Sequence, residues 1–214
     1  MPKIRLFLSS PGDVNQEREK VNVVVSEINR IFDYLDVCIE VIDWKTHIAP
    51  DMGQPQEVIN RQIGDYDLFV GIMWKRFGRP TGTAESGTEE EFRIAYDNWE
   101  RFKRPRILFY FCLRPYMPMN SEEMGQMSKV IAFREEIQQK GLVWEYQPYE
   151  EFADALRAHL AKIVKEWFLP KGEEPPTIAD FNKYLRYLME KSMYIDIRGL
   201  VTGECKAVPC QNSI

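Results

Sequence analysis

Strand-length apolar runs alternate with helix-period patterns along most of this chain, and that alternation leaves few folds open. Residues 3–9 form a short apolar run that ends in Ser9, Ser10, Pro11 and Gly12, a turn whose next residue, Asp13, is placed to cap a helix. Val14, Val21, Val24, Val25, Ile28, Ile31, Phe32 and Leu35 then recur at intervals of three and four, the period of an amphipathic helix. Residues 37–44 give a second strand, 45–54 a long loop, 55–63 a short helix, and 67–74 a third strand rich in Val, Ile and aromatic side chains. A helix over 89–102 follows, and then a wholly apolar strand over 106–113, expected at the centre of the sheet. A helix over 121–139 carries Met124, Met127, Val130, Ile131 and Ile137, and a strand over 142–146 and a helix over 149–168 complete the series. Strict alternation implies parallel strands joined by right-handed crossovers. The expected fold is α/β, a doubly wound, five-stranded parallel sheet in the order 2-1-3-4-5.

At 214 residues the chain holds one ordinary domain plus an appendage, and its 44% hydrophobic content suits a globular core. The formal net charge is -5, from 28 basic and 33 acidic residues, so no long-range field favours nucleic acid or an anionic membrane. No apolar run approaches the length of a membrane span, and the apolar stretch 4–8 is too short for a signal peptide. A cytoplasmic location is expected. Cys38 and Cys112 fall in predicted strands, while Cys205 and Cys210 have no partners at zinc-ligand spacing, so all four read as reduced thiols and no metal site is expected. Residues 169–176, with three prolines, read as a linker that bounds a main domain over 1–168. Residues 177–214 supply a short amphipathic helix and a tail, expected to be the start of a missing or truncated module.

In a doubly wound sheet, ligands bind outside the carboxyl ends of the strands where the strand order reverses. Here that point lies between strands one and three. It gathers Ser9 to Gly12, the loop 74–87 and the start of the following helix, whose N–H groups and dipole favour an anion. Lys75, Arg76 and Arg79 add positive charge. Thr88 and Glu91 have the spacing of a capping box. On the helical wheel Ala95, Trp99 and Phe102 share a stripe with Phe92, Glu91 lies at its edge, and Glu89 and Glu90 project away. Glu91 is therefore either the capping acid or a carboxylate aimed into the crevice. Gly82 to Thr88 imitates a phosphate loop but lacks its lysine, and no Gly-x-Gly-x-x-Gly follows the first strand, which excludes both nucleotide signatures. His47 is placed to border the pocket, and His159 reads as a helix residue among Leu156, Leu160 and Ile163.

Tyr66-Asp-Leu-Phe-Val-Gly-Ile, followed by Ser86-Gly-Thr-Glu-Glu-Glu-Phe-Arg-Ile-Ala95, resembles the nucleoside 2-deoxyribosyltransferases. In that family an aspartate-led strand precedes a Gly-Thr-x-x-Glu helix whose glutamate attacks the glycosidic carbon, and Glu91 falls on its position. The opening Phe-Leu-Ser-Ser-Pro-Gly-Asp-Val, taken with Ser-Gly-Thr-Glu-Glu-Glu-Phe, is more similar to the TIR-like N-terminal domains of bacterial STAND proteins, which precede NACHT-type ATPases. The likeness covers roughly residues 3–168, and the stretch from Phe181 to Val201 resembles the lead into such an ATPase.

The resemblance implies a flavodoxin/TIR-like fold and an effector domain that cleaves an N-glycosidic bond of NAD or a related nucleotide in a defence or signalling protein. NAD enters as substrate, and no cofactor is implied. The implied partners are further copies of the chain and, in longer relatives, a NACHT-type ATPase module. On this reading Glu91 is catalytic, while Ser9, Ser10, Pro11 and the N–H groups around Gly12 hold phosphate or ribose. Trp74 or Phe77 stacks on a base, Arg76 meets phosphate, Glu85 orients a ribose hydroxyl, and Ser86, Gly87 and Thr88 border the substrate. The alternatives are a non-catalytic adaptor that self-associates and a deoxyribosyltransferase-like enzyme.

Overall fold

The computed structural model describes residues 2–43, 51, 52, 58 and 62–169. Trp44, His47, most of the short helix 55–63, the linker from Pro170 and the tail lie outside the described residues. The elements are β1 (Lys3–Ser9), α1 (Asn15–Ile31), β2 (Cys38–Ile42), β3 (Leu68–Met73), α2 (Gly87–Phe102), β4 (Arg106–Cys112), α3 (Ser121–Lys140), β5 (Trp144–Tyr146) and α4 (Tyr149–Phe168). Every strand pairing is parallel and the order is β2-β1-β3-β4-β5, the sheet that the alternation predicts.

Side chains on a strand alternate between faces, and here the two sets build two cores. Leu6, Leu8, Leu68, Val70, Ile72, Tyr110 and Cys112 join the core that includes α1 and α4. Phe7, Phe69, Met73, Phe109 and Phe111 join the other, with Phe92 and Ala95 of α2 and Val130, Phe133 and Ile137 of α3. All six residues of β3 are buried, so β3 and not β4 is the sheet's centre. The first three residues of β4 are only half covered, because β5 pairs with Tyr110, Phe111 and Cys112 alone. Gly71 is required by close packing, since a Cβ added there would stand 2.4 Å from the Phe109 ring.

The helix stripes are narrower than their sequence period suggests. Val21, Val24, Val25 and Ile28 seal α1 against the sheet, but Ile31 in its last turn faces solvent. Phe102 is likewise exposed at the end of α2. On α3 the buried row is Val130, Phe133 and Ile137, which leaves Met124 and Ile131 exposed. Cys38 and Cys112 are free thiols. Among the described residues no helix is long and apolar enough to cross a membrane.

Candidate functional site

Helix α2 begins earlier than the Thr88–Glu91 box predicts. Ser86 is its N-cap, with its hydroxyl accepting the Glu89 N–H at 3.1 Å. The Glu89 carboxylate reaches back to the Glu85 N–H at 3.0 Å and is held by Arg93 at 2.7 Å. The sequence contains two overlapping Ser/Thr-x-x-Glu frames, and tertiary packing selects the first. Gly78, at φ +118, lies so close to Ser86 that an added Cβ would stand 3.0 Å from the Ser86 Cβ. Glu89 is therefore buried rather than projecting away, and Glu90 is half-buried, accepting the hydroxyls of Thr81 and Thr83. The N–H groups of Glu85, Glu89 and Glu90 are already used by the chain itself, which weakens the helix start as an anion cradle.

Glu91 has no part in that cap. It is 6% exposed, and Ser9, fully buried at the end of β1, donates its hydroxyl hydrogen bond to Glu91 Oε2. Strand parity explains the meeting. Phe7 belongs to the core that includes α2, and Ser9, two residues on, shares its face. Tyr66 lies close enough that the Glu91 charge adds to burial in raising the pKa of its hydroxyl well above the ordinary tyrosine value. A carboxylate in such surroundings has electrostatic strength that an exposed one lacks.

The turn after β1 is anchored differently from expectation. Val14 is the N-cap residue of α1 and makes no side-chain cap. Asp13 instead turns to the loop after β3, where its Oδ2 accepts the N–H groups of Lys75 at 3.1 Å and Arg76 at 3.0 Å. Ser10 accepts from Arg18 Nη1 at 2.7 Å, and the same guanidinium is paired with Asp43. Pro11 is buried, while Gly12 is exposed with open space where a side chain would be.

Several residues expected at the site stand elsewhere. Trp74 packs against the core that includes α1 and α4, the side opposite Ser9, and its ring carries Lys75 at 4.3 Å and Arg114 at 4.4 Å. Phe77 is 3% exposed and set edge-on against Phe133, so no base can stack on it. Glu85 is exposed and paired with Lys129 at 3.2 Å, and Arg76 is exposed on the loop that Asp13 holds. Ser86 and Thr88 are buried at the start of α2 and Gly87 is half-buried between them, but Ser86 is occupied as the cap. Among the described residues expected at the site, Ser9 and Glu91 are thus brought into direct contact.

Residues 5–161 match the family model described as "Domain of unknown function (DUF4062)". The chain belongs to the DUF4062 family. No curated protein matches it. Among solved structures it is similar to CetZ from Methanosaeta thermophila strain DSM 6194, at 17% identity and a TM-score of 0.37, with 87% of this chain and 58% of that chain covered. This chain thus spans less than two thirds of that protein's length.

Two charged residues of this DUF4062 domain organise the carboxyl end of the sheet without having been singled out by sequence. Arg18, with a side chain 7% exposed, ties Ser10 to Asp43. Glu17 is fully buried and accepts from Arg114 at 2.6 Å, just beyond β4. Their signal was present. Glu17 and Arg18 stand four and three residues before Val21, where the helical period places inward-facing side chains. Among the described residues no His, Cys, Asp and Glu group could hold a metal ion.

Proposed function

We propose that this domain cleaves the N-glycosidic bond of a nucleotide, NAD first among the candidates, as a TIR-like effector in a defence or signalling protein of the STAND/NACHT-associated kind. One observation carries the reading: Glu91 is a buried carboxylate at the β1/β3 switch point, bonded to Ser9, and the capping duty that would otherwise explain it falls to Ser86 and Glu89. Cleavage of a ribosyl bond builds positive charge at the sugar carbon, and a desolvated carboxylate either stabilises that charge or closes on the carbon as an ester that water then opens. Ser9 fixes the orientation of the carboxylate for that task. The open surface at Gly12 and the Ser10 hydroxyl, steadied by Arg18, suit the phosphate or ribose beyond it.

The test is nicotinamide or free-base release from NAD and from nucleosides, followed by chromatography on concentrated and on forcibly oligomerised protein. Release by the wild type that is lost in Glu91→Gln supports the reading. Release that survives the substitution, or none under forced oligomerisation, overturns it. The adaptor reading draws on a different observation, the large apolar side chains Phe102 and Leu142 left in solvent, which suit contact between copies.

A further inference from the structure

A crevice opens at the carboxyl ends of β3 and β4, beside α3. It has a volume of about 360 Å³, within the range of small-molecule sites. Trp74 and Tyr116 contribute aromatic walls and meet edge to face at 5.9 Å. Met127 and Ile131 of α3 supply an apolar wall in which the methionine can adapt to a guest. Among the described residues, the charged side chains that line it are Lys75, Arg114 and Arg134, all cationic, with no carboxylate beside them.

Arg114 is committed to Glu17, but Lys75 and Arg134 are poised rather than spent. The Lys75 ammonium rests 4.0 Å from the Tyr116 ring centroid and 4.3 Å from that of Trp74, contacts weaker than a charge-assisted bond to an oxyanion. Glu123, which feels the Lys75 charge, is occupied by the Tyr116 hydroxyl and the Met119 N–H. Arg134 reaches Glu145 only at 3.6 Å, and its buried Nε has no hydrogen-bond partner. A buried donor without an acceptor costs free energy that a ligand oxygen would recover.

We propose that this crevice binds an amphipathic anion, an aromatic body carrying a phosphate or carboxylate, with the ring against Trp74 and Tyr116 and the anion between Lys75 and Arg134. The site is independent of Glu91 and of any glycosidic chemistry.

Naphthyl phosphate, naphthol and inorganic phosphate, titrated calorimetrically into the full chain, test it. Naphthyl phosphate should bind saturably with one site, and the neutral and the ring-less probes should each bind about tenfold more weakly or worse. Lys75→Met and Arg134→Met should each cost naphthyl phosphate about tenfold in affinity, while Lys129→Met, which alters a nearby cation outside the crevice, should cost nothing. Melting curves confirm that each variant is folded, and the two substitutions are independent, so loss of one protein leaves the other decisive. Equal binding of naphthol and naphthyl phosphate, no saturable binding, or affinity unchanged in both variants overturns the proposal.

Discussion

The Ser9 hydroxyl donates to the Glu91 carboxylate across 82 positions of sequence. The bond joins the last residue of β1 to the N-terminal part of α2, while the cap of that helix is made upstream by Ser86 and Glu89. Capping and candidate chemistry are therefore separable by mutation. Ser86→Ala should lower stability by about 1 kcal/mol, the typical worth of an N-cap. Glu91→Gln, which keeps an acceptor for Ser9, should lower it by less. Thermal melts of the two variants rank them, and a Ser86→Ala variant as stable as the wild type would show that the Ser86 hydroxyl is not the working cap.

Arg18 and Asp43 form a pair with side chains 7% and 15% exposed. Arg18→Met removes the guanidinium that Ser10 and Asp43 share, and breaking so poorly hydrated a pair should cost about 3–5 kcal/mol. Arg18→Met and Asp43→Asn together should cost less than the sum of the two single changes, since they break the same pair. Denaturant titration reads all three variants, and a strictly additive cycle would show that the two side chains are not coupled.

Gly71→Ala should destabilise the sheet by about 1–3 kcal/mol, the usual cost of an overpacked methyl. The new Cβ would meet the Phe109 ring at 2.4 Å. Phe109→Leu combined with Gly71→Ala should cost less than the sum of the two single changes, since the pair share one space. A strictly additive cycle would refute the steric account.

His159 accepts or donates through Nδ1 to the Tyr110 hydroxyl at 2.8 Å and lies edge-on to Trp144. Burial, helped by Lys162 and Arg106, lowers its pKa below the ordinary 6.5. The unfolded chain then takes up a proton as pH falls through 6.5 while the folded one still resists. Stability contributed by the neutral ring is thus complete above that value and is lost on acidification. Denaturation midpoints of wild type and His159→Gln should diverge at neutral pH and converge in acid. A pH-independent difference between them would count against the assignment.

The sheet order was legible because strand-length apolar runs alternate with helix-period patterns. The strands are apolar throughout, so which side chains face which core, Phe7, Phe69 and Phe109 one and Leu6, Leu8 and Val70 the other, emerges only in the structure. The helical wheel set Glu91 at the edge of the buried stripe and left both roles open, and its burial is what the structure adds. Its absence from the cap was not legible, since Ser86–Glu89 and Thr88–Glu91 are equivalent frames until Gly78 packs against Ser86. Trp74 and Phe77 looked like platforms because a loop has no period to say which way an aromatic side chain turns. Trp74 instead joined the core opposite Ser9, and Phe77 the core around Phe133. Arg18 and Glu17 were readable and overlooked, charged residues at positions where the stripe of α1 called for apolar ones.

Asp13 grips the backbone of Lys75 and Arg76 with one carboxylate oxygen. The turn after β1 and the loop after β3 flank the switch point of the sheet, and this clasp stitches one to the other. Loss of the Asp13 carboxylate would release both N–H groups and so uncouple the loop after β3 from the turn after β1, without touching the Ser9–Glu91 bond.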